Sequence, residues 1–467
     1  MKRRTKIVAT IGPASSSVTT LVRMIRAGMD VARLNFSHGS YADHKALVKH
    51  IRSAANKTGR IVAVLQDLQG PKIRIGTLPK KGIELHKGQE VHLSTAVDSY
   101  EPDGPIPVTY KNLHKDVKKG HRLFINDGFI ETVVESVRGK VVKVKVVNGG
   151  PVISNKGINL PDSVVSAPAM TQKDHEDLMF GLEQGVDFVA LSFVTSAQDI
   201  KALRRIVDAK CRALGCISPK IIAKIERPEA VEDFAEILEV IDGAMIARGD
   251  LGVEIKPEQV PIVQKEMIEQ CREVGKPVIV ATHMMESMIS NPRATRAETS
   301  DVANAIIDHT DAVMLSGETA TGEYPYTVVK TMAAIIDEAE KSRFDDISFY
   351  QIHDLGKLPK SIAQSVHMMA DNKQIDFIAT SSSFKSVSAT INIFRPNVPI
   401  IMGCPNRQIA RQMVLRAGVH PVVLSDEAGT FMLRMERYLR RNKIATKKSH
   451  VAYVTAVASG EVQLIVR

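Results

Sequence analysis

The sequence has no tryptophan, and aromatic residues make up only 4% of its 467 residues. Its four cysteines, with C-x4-C spacing at Cys211 and Cys216 and two isolated elsewhere, match neither a disulfide framework nor a zinc-binding pair. Reduced thiols are typical of the cytoplasm, which is the location that we predict. The longest apolar runs, such as IVAVL and PVIVA, are far shorter than the ~18 residues that a membrane helix needs. We therefore expect neither a disulfide scaffold nor a membrane protein.

The common nucleotide-binding signatures are also missing. The sequence contains no GxxxxGK[ST], no GxGxxG and no protein-kinase loop, which argues against a P-loop or Rossmann phosphate cradle. The net charge of +10 is compatible with nucleic acid, a membrane surface or phosphorylated small molecules. Because the basic residues are spread along the chain and no basic run is interleaved with aromatic residues, we predict no nucleic-acid partner.

Short apolar or β-branched runs alternate with helical patterns over the first 343 residues. Eight runs suit strands, and seven of them are followed directly by a helical pattern: KIVATI, DVARLNF, IVAVLQDL, DFVALSF, KIIAKIE, GAMIAR, PVIVAT and AVMLSG. Strands separated by helices pair in parallel, and eight such units close into a barrel. The sequence therefore predicts an α/β fold, a (β/α)8 TIM barrel.

The third unit is the exception, because a long segment intervenes before the next helix. That segment has Gly, Pro and Lys-Gly turns between short alternating runs such as RLFINDGFIETVV and KVVKVKVV, which predict an inserted all-β domain. After about Phe344 a new alternation of helices and strands predicts a C-terminal open α/β domain. The predicted division is barrel at 1–69 and 168–343, inserted β domain at 70–167 and C-terminal domain at 344–467.

Charged and polar residues follow most of the predicted barrel strands. In such a barrel the active site lies at the carboxyl ends of the strands. Any single pair could be an ion pair that only seals the barrel end, but burying many unpaired charges is costly, so we expect a ligand-binding site. In strand order, the residues concerned are Arg33, Asn35, Ser37, His38, Asp67, Ser192, Lys224, Glu226, Arg248, Asp250, Thr282, His283, Ser316 and Glu318.

Glu226 and Asp250 are hard oxygen donors from adjacent strands, without a cysteine or histidine pair to recruit zinc. Two carboxylates with open positions suit Mg2+ or Mn2+. Arg33, Lys224 and Arg74 add positive charge nearby. Cations with a hard metal ion are what phosphoryl groups require, so the pattern indicates phosphoryl chemistry.

Ten motifs follow one another in the chain: KIVATIGPAS, RLNFSHG, GPKIR, INDG, KGINLP, SFV, KIERPEA, ARGDLGVEI, TRAETSDVAN and MLSGETATGEYP. In these motifs and in their order, the sequence resembles the pyruvate kinase family. The resemblance runs from Lys6 to about Lys341, and ARGDLGVE, RLNFSHG and SGETA are its most specific parts. The resemblance implies the same three-part fold, a homotetramer, and phosphoryl transfer from phosphoenolpyruvate to ADP, giving ATP and pyruvate in the last step of glycolysis.

The resemblance also implies a role for each matching residue. Closure of the inserted domain over the nucleotide would exclude water. The implied roles are phosphoryl contact by Lys224 and Arg33, with Arg74 nearby; a divalent metal held by Glu226 and Asp250; carboxylate contact by Gly249, Asp250 and Thr282; nucleotide contact by His38, Asp127 and Lys156; and enolate protonation through water near Thr282 and Ser316.

One departure from the family pattern concerns a monovalent cation. Many members have DTKGPEIR where this chain has DLQGPKIR, so Lys72 replaces a glutamate. Asn35, Ser37, Asp67 and the Leu68 carbonyl otherwise resemble the family's K+ site. A lysine ammonium could supply the charge that K+ would supply, and two cations repel each other in a low-dielectric pocket. We therefore predict that K+ is not required.

Two further departures lie beside the site. The family's usual ATQ is ATH here, which places His283 near the site, either as a structural residue or as part of it. The KIENHEG pattern becomes KIERPEA, and Asp43 stands where the family often has an aromatic residue near the nucleotide, so the preference for adenine stays open.

The predicted C-terminal domain carries TSSSFKS between a strand and a helix. Such a turn can bind phosphate and resembles the family's sugar-phosphate effector loop, but ordinary helix capping by Ser383 explains it equally well. The loop VASGEVQ lacks the basic and tryptophan residues of members that respond to fructose-1,6-bisphosphate. We predict a sugar monophosphate or AMP as effector, or none. The candidate effector residues are Thr380, Ser381, Ser382, Ser383 and Lys385.

Two other functions are compatible with a barrel of this kind. A lysine-dependent aldolase would use Lys224 as a Schiff base, which would leave Glu226 and Asp250 without a purpose. A phosphometabolite sensor on a disabled barrel would lack catalytic residues, whereas none is missing from the pattern.

Overall fold

The computed structural model describes residues 3–345, 358–384, 390–424, 429–456 and 462–467, without the side chains of 358–360 and 456. The chain begins with three parallel strands joined by two helices. These elements are β1 (Lys6–Thr10), α1 (Val18–Ala27), β2 (Met29–Asn35), α2 (Tyr41–Thr58) and β3 (Ala63–Asp67). Ser17 and Ser40 cap the two helices, because their side chains accept a backbone N–H of the first turn.

After β3 the chain forms the inserted β domain. One sheet has six strands in the order β11-β7-β8-β9-β5-β6, and β10 pairs with β4. Buried and more exposed residues alternate along β8 and β9, as a sheet with one buried face requires. The elements are β4 (Ile83–Leu85), β5 (Glu90–Ser94), β6 (Ile106–Pro107), α3 (Leu113–Asp116), β7 (Arg122–Ile125), β8 (Ile130–Arg138), β9 (Val141–Asn148), β10 (Gly150–Val152) and β11 (Ile158–Asn159).

The barrel then resumes and closes in the order β1-β16-β15-β14-β13-β12-β3-β2. Every residue of β1, β3 and β14 is buried, because parallel strands are covered on both faces. The elements are α4 (Gln172–Glu183), β12 (Phe188–Leu191), α5 (Ala197–Leu214), β13 (Lys220–Ile225), α6 (Pro228–Glu232), α7 (Phe234–Val240), β14 (Gly243–Ala247), α8 (Arg248–Glu254), α9 (Val260–Glu273), β15 (Val278–Ala281), α10 (Arg296–Ile307), β16 (Ala312–Leu315), α11 (Gly317–Ala320) and α12 (Pro325–Ala339).

The C-terminal domain is an open sheet in the order β19-β18-β17-β20-β21, in which only the pairing of β20 with β21 is antiparallel. Its Val414 and Leu415 pack into the same buried cluster as the barrel interior. The elements are α13 (Leu358–Asp371), β17 (Phe377–Ser381), β18 (Ile400–Cys404), α14 (Arg407–Met413), β19 (Val419–Val423), α15 (Phe431–Arg441), β20 (Val451–Ala456) and β21 (Val462–Val466).

The fold class predicted from the sequence is confirmed: a closed eight-stranded barrel, an inserted β domain and an open C-terminal α/β sheet. The exact domain boundaries stay predictions. Within the described parts of the chain, no helix combines the length and the apolar character needed to cross a bilayer.

Candidate active site

The barrel interior leads directly into the candidate site. Leu65 and Ile222 belong to the interior apolar cluster, and two residues later on the same strands come Asp67 and Lys224. Because strand side chains alternate between faces, residues two apart point the same way. The polar groups therefore stand above the apolar interior, at the carboxyl ends of the strands.

Lys224 is the centre of this cluster. Its Nζ lies 2.8 Å from Oε1 of Glu226 and 3.3 Å from Oδ1 of Asp67, and it donates a 2.7 Å hydrogen bond to Oγ of Ser192. Burial alone lowers the pKa of the ammonium, but Asp67 and Glu226 outweigh it, so the pKa of Lys224 lies above its ordinary value. Lys224 is therefore a fixed cation at neutral pH.

Arg33 is a second fixed cation in the cluster. Its Nε donates to Oδ2 of Asp67 at 2.7 Å, and its Nη1 donates to Oγ1 of Thr10 at 2.8 Å. Burial raises the pKa of Asp67, but Lys224 and Arg33 reverse this shift and leave the pKa below its usual range. Asp67 is thus a buried anion shared by two cations.

The burial and the hydrogen bonds of Glu226 are compatible with a cation ligand. It is fully buried, and its Oε2 accepts the Phe193 N–H at 2.7 Å. Its Oε1 is close to Lys224 but has no hydrogen bond of good geometry within the described part of the chain. Burial is the main cause that raises the pKa of Glu226; Lys224 opposes this shift, and the negative charge of Asp250 adds to it. A positive ion between the carboxylates of Glu226 and Asp250 would offset the cost of burying the Glu226 charge and the repulsion between the two carboxylates.

The donor set fits a hard divalent ion. Among the described residues, no group of three or more His, Cys, Asp or Glu side chains could hold a metal ion, so protein side chains alone do not complete a metal site. Glu226 and Asp250 alone leave positions for water and substrate oxygens, as Mg2+ sites that engage phosphorylated substrates do.

Lys72 reaches Asp250 from the segment that leads into the inserted domain. Its Nζ lies 3.4 Å from Oδ1 of Asp250, and both side chains are about a quarter exposed. The Lys72 charge therefore acts directly on one of the two candidate metal ligands.

Three of the four candidate K+ ligands, Asn35, Asp67 and Leu68, have an oxygen that interacts with a donor from the protein. The amide oxygen of Asn35 accepts the Ser37 N–H at 3.1 Å, and the Leu68 carbonyl accepts the Ser192 hydroxyl at 2.6 Å. The Asp67 carboxylate contacts Arg33 and Lys224, as described above.

Strands β14 and β15 position the next group of residues. Arg248 is held by both oxygens of Asp301 at 2.7 Å and donates to the Thr282 carbonyl at 2.9 Å. Thr282 has a positive φ of 67°, a conformation unusual for a β-branched residue, and its Oγ1 accepts the Gly249 N–H at 2.7 Å. Arg248 follows a strand like the other candidates, but its contacts stabilise the loop after β15 that contains Thr282.

Glu318 stabilises the residues that follow the eighth barrel strand, β16. This buried carboxylate accepts the backbone N–H of Ser316 at 2.6 Å and of Met285 at 3.2 Å. Burial raises its pKa. His283, by contrast, is exposed, with Nε2 3.7 Å from Oε2 of Glu286. Glu318 orients the Ser316 backbone, and His283 stands outside the buried cluster.

The candidate nucleotide residues lie on the inserted domain and beside it. Asp127 lies in the INDG turn with a positive φ of 54°, in a cleft of about 620 Å3 between the inserted domain and α8. Arg74 donates to the Asn155 carbonyl at 2.8 Å, next to Lys156. Burial, followed by the charges of Arg74 and other nearby cations, lowers the pKa of His38. His38 is therefore a neutral imidazole near an electropositive site.

The candidate effector turn is only partly within the described residues. Thr380 is fully buried, the Ser382 N–H donates to the Gly403 carbonyl, and the Ser383 N–H donates to Oγ of Ser381 at 3.2 Å. Lys385 and most of VASGEVQ lie outside the described residues. Phosphate binding and Ser383 capping both stay predictions.

Some residues of the site were missed from the sequence. Asp301 lies within the quoted motif TRAETSDVAN, but nothing in its spacing predicts the pairing with Arg248. Glu254 and Asn159 lie in ARGDLGVEI and KGINLP and join the barrel to the inserted domain through a 2.8 Å hydrogen bond. Motif membership was the only available signal for all three.

Fold and site together define a (β/α)8-barrel protein with an ionic site at the carboxyl ends of its strands and a β domain placed beside that site. The profile of the pyruvate kinase barrel domain matches residues 2–329, and that of the pyruvate kinase alpha/beta domain matches residues 360–464. The chain belongs to the pyruvate kinase family.

Individual relatives agree with the family assignment. A pyruvate kinase of Staphylococcus saprophyticus is 47% identical over 430 residues, which cover 90% of this chain and 72% of the relative. A pyruvate kinase of Staphylococcus aureus strain USA300 is 45% identical over 436 residues, which cover 92% of this chain and 73% of the relative.

Proposed function

We propose that the protein transfers the phosphoryl group of phosphoenolpyruvate to ADP, giving ATP and pyruvate. The observation that carries this proposal is the packing of Lys224 against Glu226, Asp67 and Ser192, beside Arg33 and at the open end of the barrel. Fixed cations around an open anion site are what a phosphoryl group in transfer requires.

In this proposal Lys224 and Arg33 contact the migrating phosphoryl group, with Arg74 adding positive charge. Both contacting cations are already oriented by Asp67, so little reorganisation is needed when the substrate binds. Gly249, Asp250 and Thr282 border the position of the substrate carboxylate.

Glu226 and Asp250 would hold Mg2+ or Mn2+, which when bound neutralises substrate oxygens. The residues of this chain supply the remaining steps. His38, Asp127 and Lys156 face the nucleotide, and the inserted domain excludes water so that the phosphoryl group reaches ADP. Thr282 and Ser316 position the water that protonates the enolate.

We also propose that K+ is not required. Lys72 supplies a cation at Asp250, and the oxygens of Asn35 and Leu68 already accept hydrogen bonds from protein donors. Activity should be similar in potassium and tetramethylammonium salts of equal ionic strength, and strong dependence on K+ would refute this proposal.

The reaction is tested by coupling pyruvate formation to lactate dehydrogenase. The wild-type chain should oxidise NADH only when phosphoenolpyruvate, ADP and Mg2+ are all present, and Lys224→Met should abolish activity. Lys143→Met, which removes a lysine from an ion pair inside the inserted domain, is the matched control. A wild-type chain without this activity would refute the proposal.

The aldolase alternative is disfavoured by the same geometry. A Schiff base needs a neutral amine, whereas the carboxylates raise the pKa of Lys224 and keep it protonated. Borohydride with a keto acid should therefore leave the mass of the protein unchanged.

Three further features of the family extend the proposal: a homotetramer, a cytoplasmic location and an effector site at residues 380–385. Light scattering after gel filtration tests the assembly. Titration with a sugar monophosphate, AMP and fructose-1,6-bisphosphate tests the effector, and strong activation by fructose-1,6-bisphosphate would contradict the expected choice.

A further inference from the structure

The segment 158–166, through which the inserted domain returns to the barrel, is firmly tied to the inserted sheet. Asn159 lies in β11 of that sheet. Asp162 pairs with Arg122 at 2.7 Å, and Oγ of Ser163 lies 2.8 Å from Nδ1 of His121. The return segment is therefore held by contacts with the inserted domain.

The same segment makes two contacts with the barrel. Nδ2 of Asn159 donates to Oε1 of Glu254 at 2.8 Å, and Nη2 of Arg227 donates to the Ser163 carbonyl at 3.2 Å. Glu254 and Arg227 are 4% and 7% exposed, so both contacts are shielded from water. Oε2 of Glu254 is buried without a hydrogen-bond partner among the described residues, so the hydrogen bond from Asn159 and the nearby charge of Arg227 are what stabilise this carboxylate.

Both barrel residues are directly linked to the candidate metal ligands. Arg227 follows Glu226 in the chain, and Glu254 lies four residues after Asp250 in the single helix α8. Each candidate metal ligand therefore lies in the same backbone segment as one of the two contacts.

Glu226 and Asp250 together form the candidate metal corner. We propose that Arg227, Glu254, Asn159 and Ser163 form a latch, which couples metal binding at this corner to the position of the inserted domain. These are positioning residues, because they act through the placement of the nucleotide-facing domain. The inference rests on the proposed function, since a latch matters for catalysis only if that domain must close over ADP.

Kinetics provide the first test. Asn159→Ala and Arg227→Asn should each lower kcat/KM for ADP by roughly tenfold, the effect of losing one buried hydrogen bond to a charged group. Pyruvate formed should also exceed ATP formed, because a misplaced domain admits water to the phosphoryl group. Glu254→Gln should stay near wild type because its amide oxygen still accepts from Asn159, whereas Glu254→Ala should behave like Asn159→Ala.

The matched control is Asn148→Ala, which removes a 3.1 Å hydrogen bond from Asn148 to Glu131 inside the inserted sheet. It should leave kcat/KM for ADP and the ratio of pyruvate to ATP unchanged. Equal kinetics for Asn159→Ala and Asn148→Ala would overturn the latch.

Hydrogen exchange provides a readout that does not depend on turnover. Adding Mn2+ with oxalate to the wild type should increase protection of residues 158–166, and Asn159→Ala and Arg227→Asn should lose that response while Asn148→Ala retains it. A wild-type segment that does not respond, or variants that respond fully, would refute the coupling. An inactive wild type would instead refute the proposed function, so the two failures are distinguishable.

Discussion

The substitution Lys72→Glu tests the electrostatics of the metal corner most directly. Nζ of Lys72 lies 3.4 Å from Oδ1 of Asp250, and the side chains are 28% and 27% exposed. At this distance the attraction is about 1 kcal/mol in bulk water and about 5 kcal/mol at an effective dielectric of 20. Because solvent screens this partly exposed pair, we take the attraction between Lys72 and Asp250 as about 1–3 kcal/mol.

Glutamate at this position would replace that attraction by a repulsion of similar size, a change of about 2–6 kcal/mol. Even the lower limit corresponds to a loss of activity of roughly 30-fold in tetramethylammonium salts. K+ should restore part of the activity by compensating the added negative charge. Lys72→Met, which removes the attraction without adding repulsion, should lie between Lys72→Glu and the wild type.

The assay is the coupled rate at constant ionic strength with K+ replaced stepwise by tetramethylammonium. Metal affinity is measured separately by titration with Mn2+. If Lys72→Glu matches the wild type in tetramethylammonium, the charge of Lys72 does not act on the corner and the reasoning fails.

Three further predictions concern the barrel and its neighbours. Burial is the main cause that lowers the pKa of Lys6 to about 8. The unfolded chain therefore binds more protons between pH 8 and 10.5, and stability relative to Lys6→Met should rise with pH by about 3 kcal/mol across this window, as urea unfolding would measure. Arg395→Ala removes the two 2.8 Å hydrogen bonds that the Arg395 guanidinium donates to the buried Asp311 and should destabilise the protein by about 3–5 kcal/mol in the same assay. Gly249→Ala places a Cβ 3.2 Å from Oγ1 of Thr282 and should lower kcat/KM for phosphoenolpyruvate by roughly tenfold without changing the melting temperature.

Each of these predictions has its own control. The stability difference for Lys6→Met should be flat below pH 7, and a difference that falls as pH rises would contradict the assigned sign. Combining Arg395→Met with Asp311→Asn should recover part of the lost stability, because no uncompensated charge remains. A Gly252→Ala variant, whose new Cβ would meet only a side-chain methyl at 3.6 Å, controls for helix effects in Gly249→Ala.

Much of the fold follows from periodicity in the sequence. The eight barrel strands were recognisable because each apolar run is followed by a helical pattern or, once, by a segment with the alternation of a β domain. The two-residue period also predicted that Lys224 and Glu226 share a face, and Glu226 follows directly after β13. These predictions depend only on local backbone geometry, so the sequence contains what they need.

The partners of long side chains could not be predicted in this way. Arg248 follows a strand as Lys224 does, but its guanidinium turns to Asp301 on a helix after the next strand. Lys72 has four methylene groups, and its ammonium reaches Asp250 across the junction of two domains. Such pairs depend on tertiary distances and rotamers, which spacing along the chain does not specify.

The charge balance of the corner explains why one lysine can matter for ion dependence. Three cations and three carboxylates meet there: Arg33, Lys72, Lys224, Asp67, Glu226 and Asp250. A divalent metal would offset a doubly charged phosphoryl group, and the substrate carboxylate would add one negative charge. A glutamate in place of Lys72 would make the site more negative by two further charges, and burial makes such an excess costly. The cation requirement of the site should therefore follow from the residue at this single position.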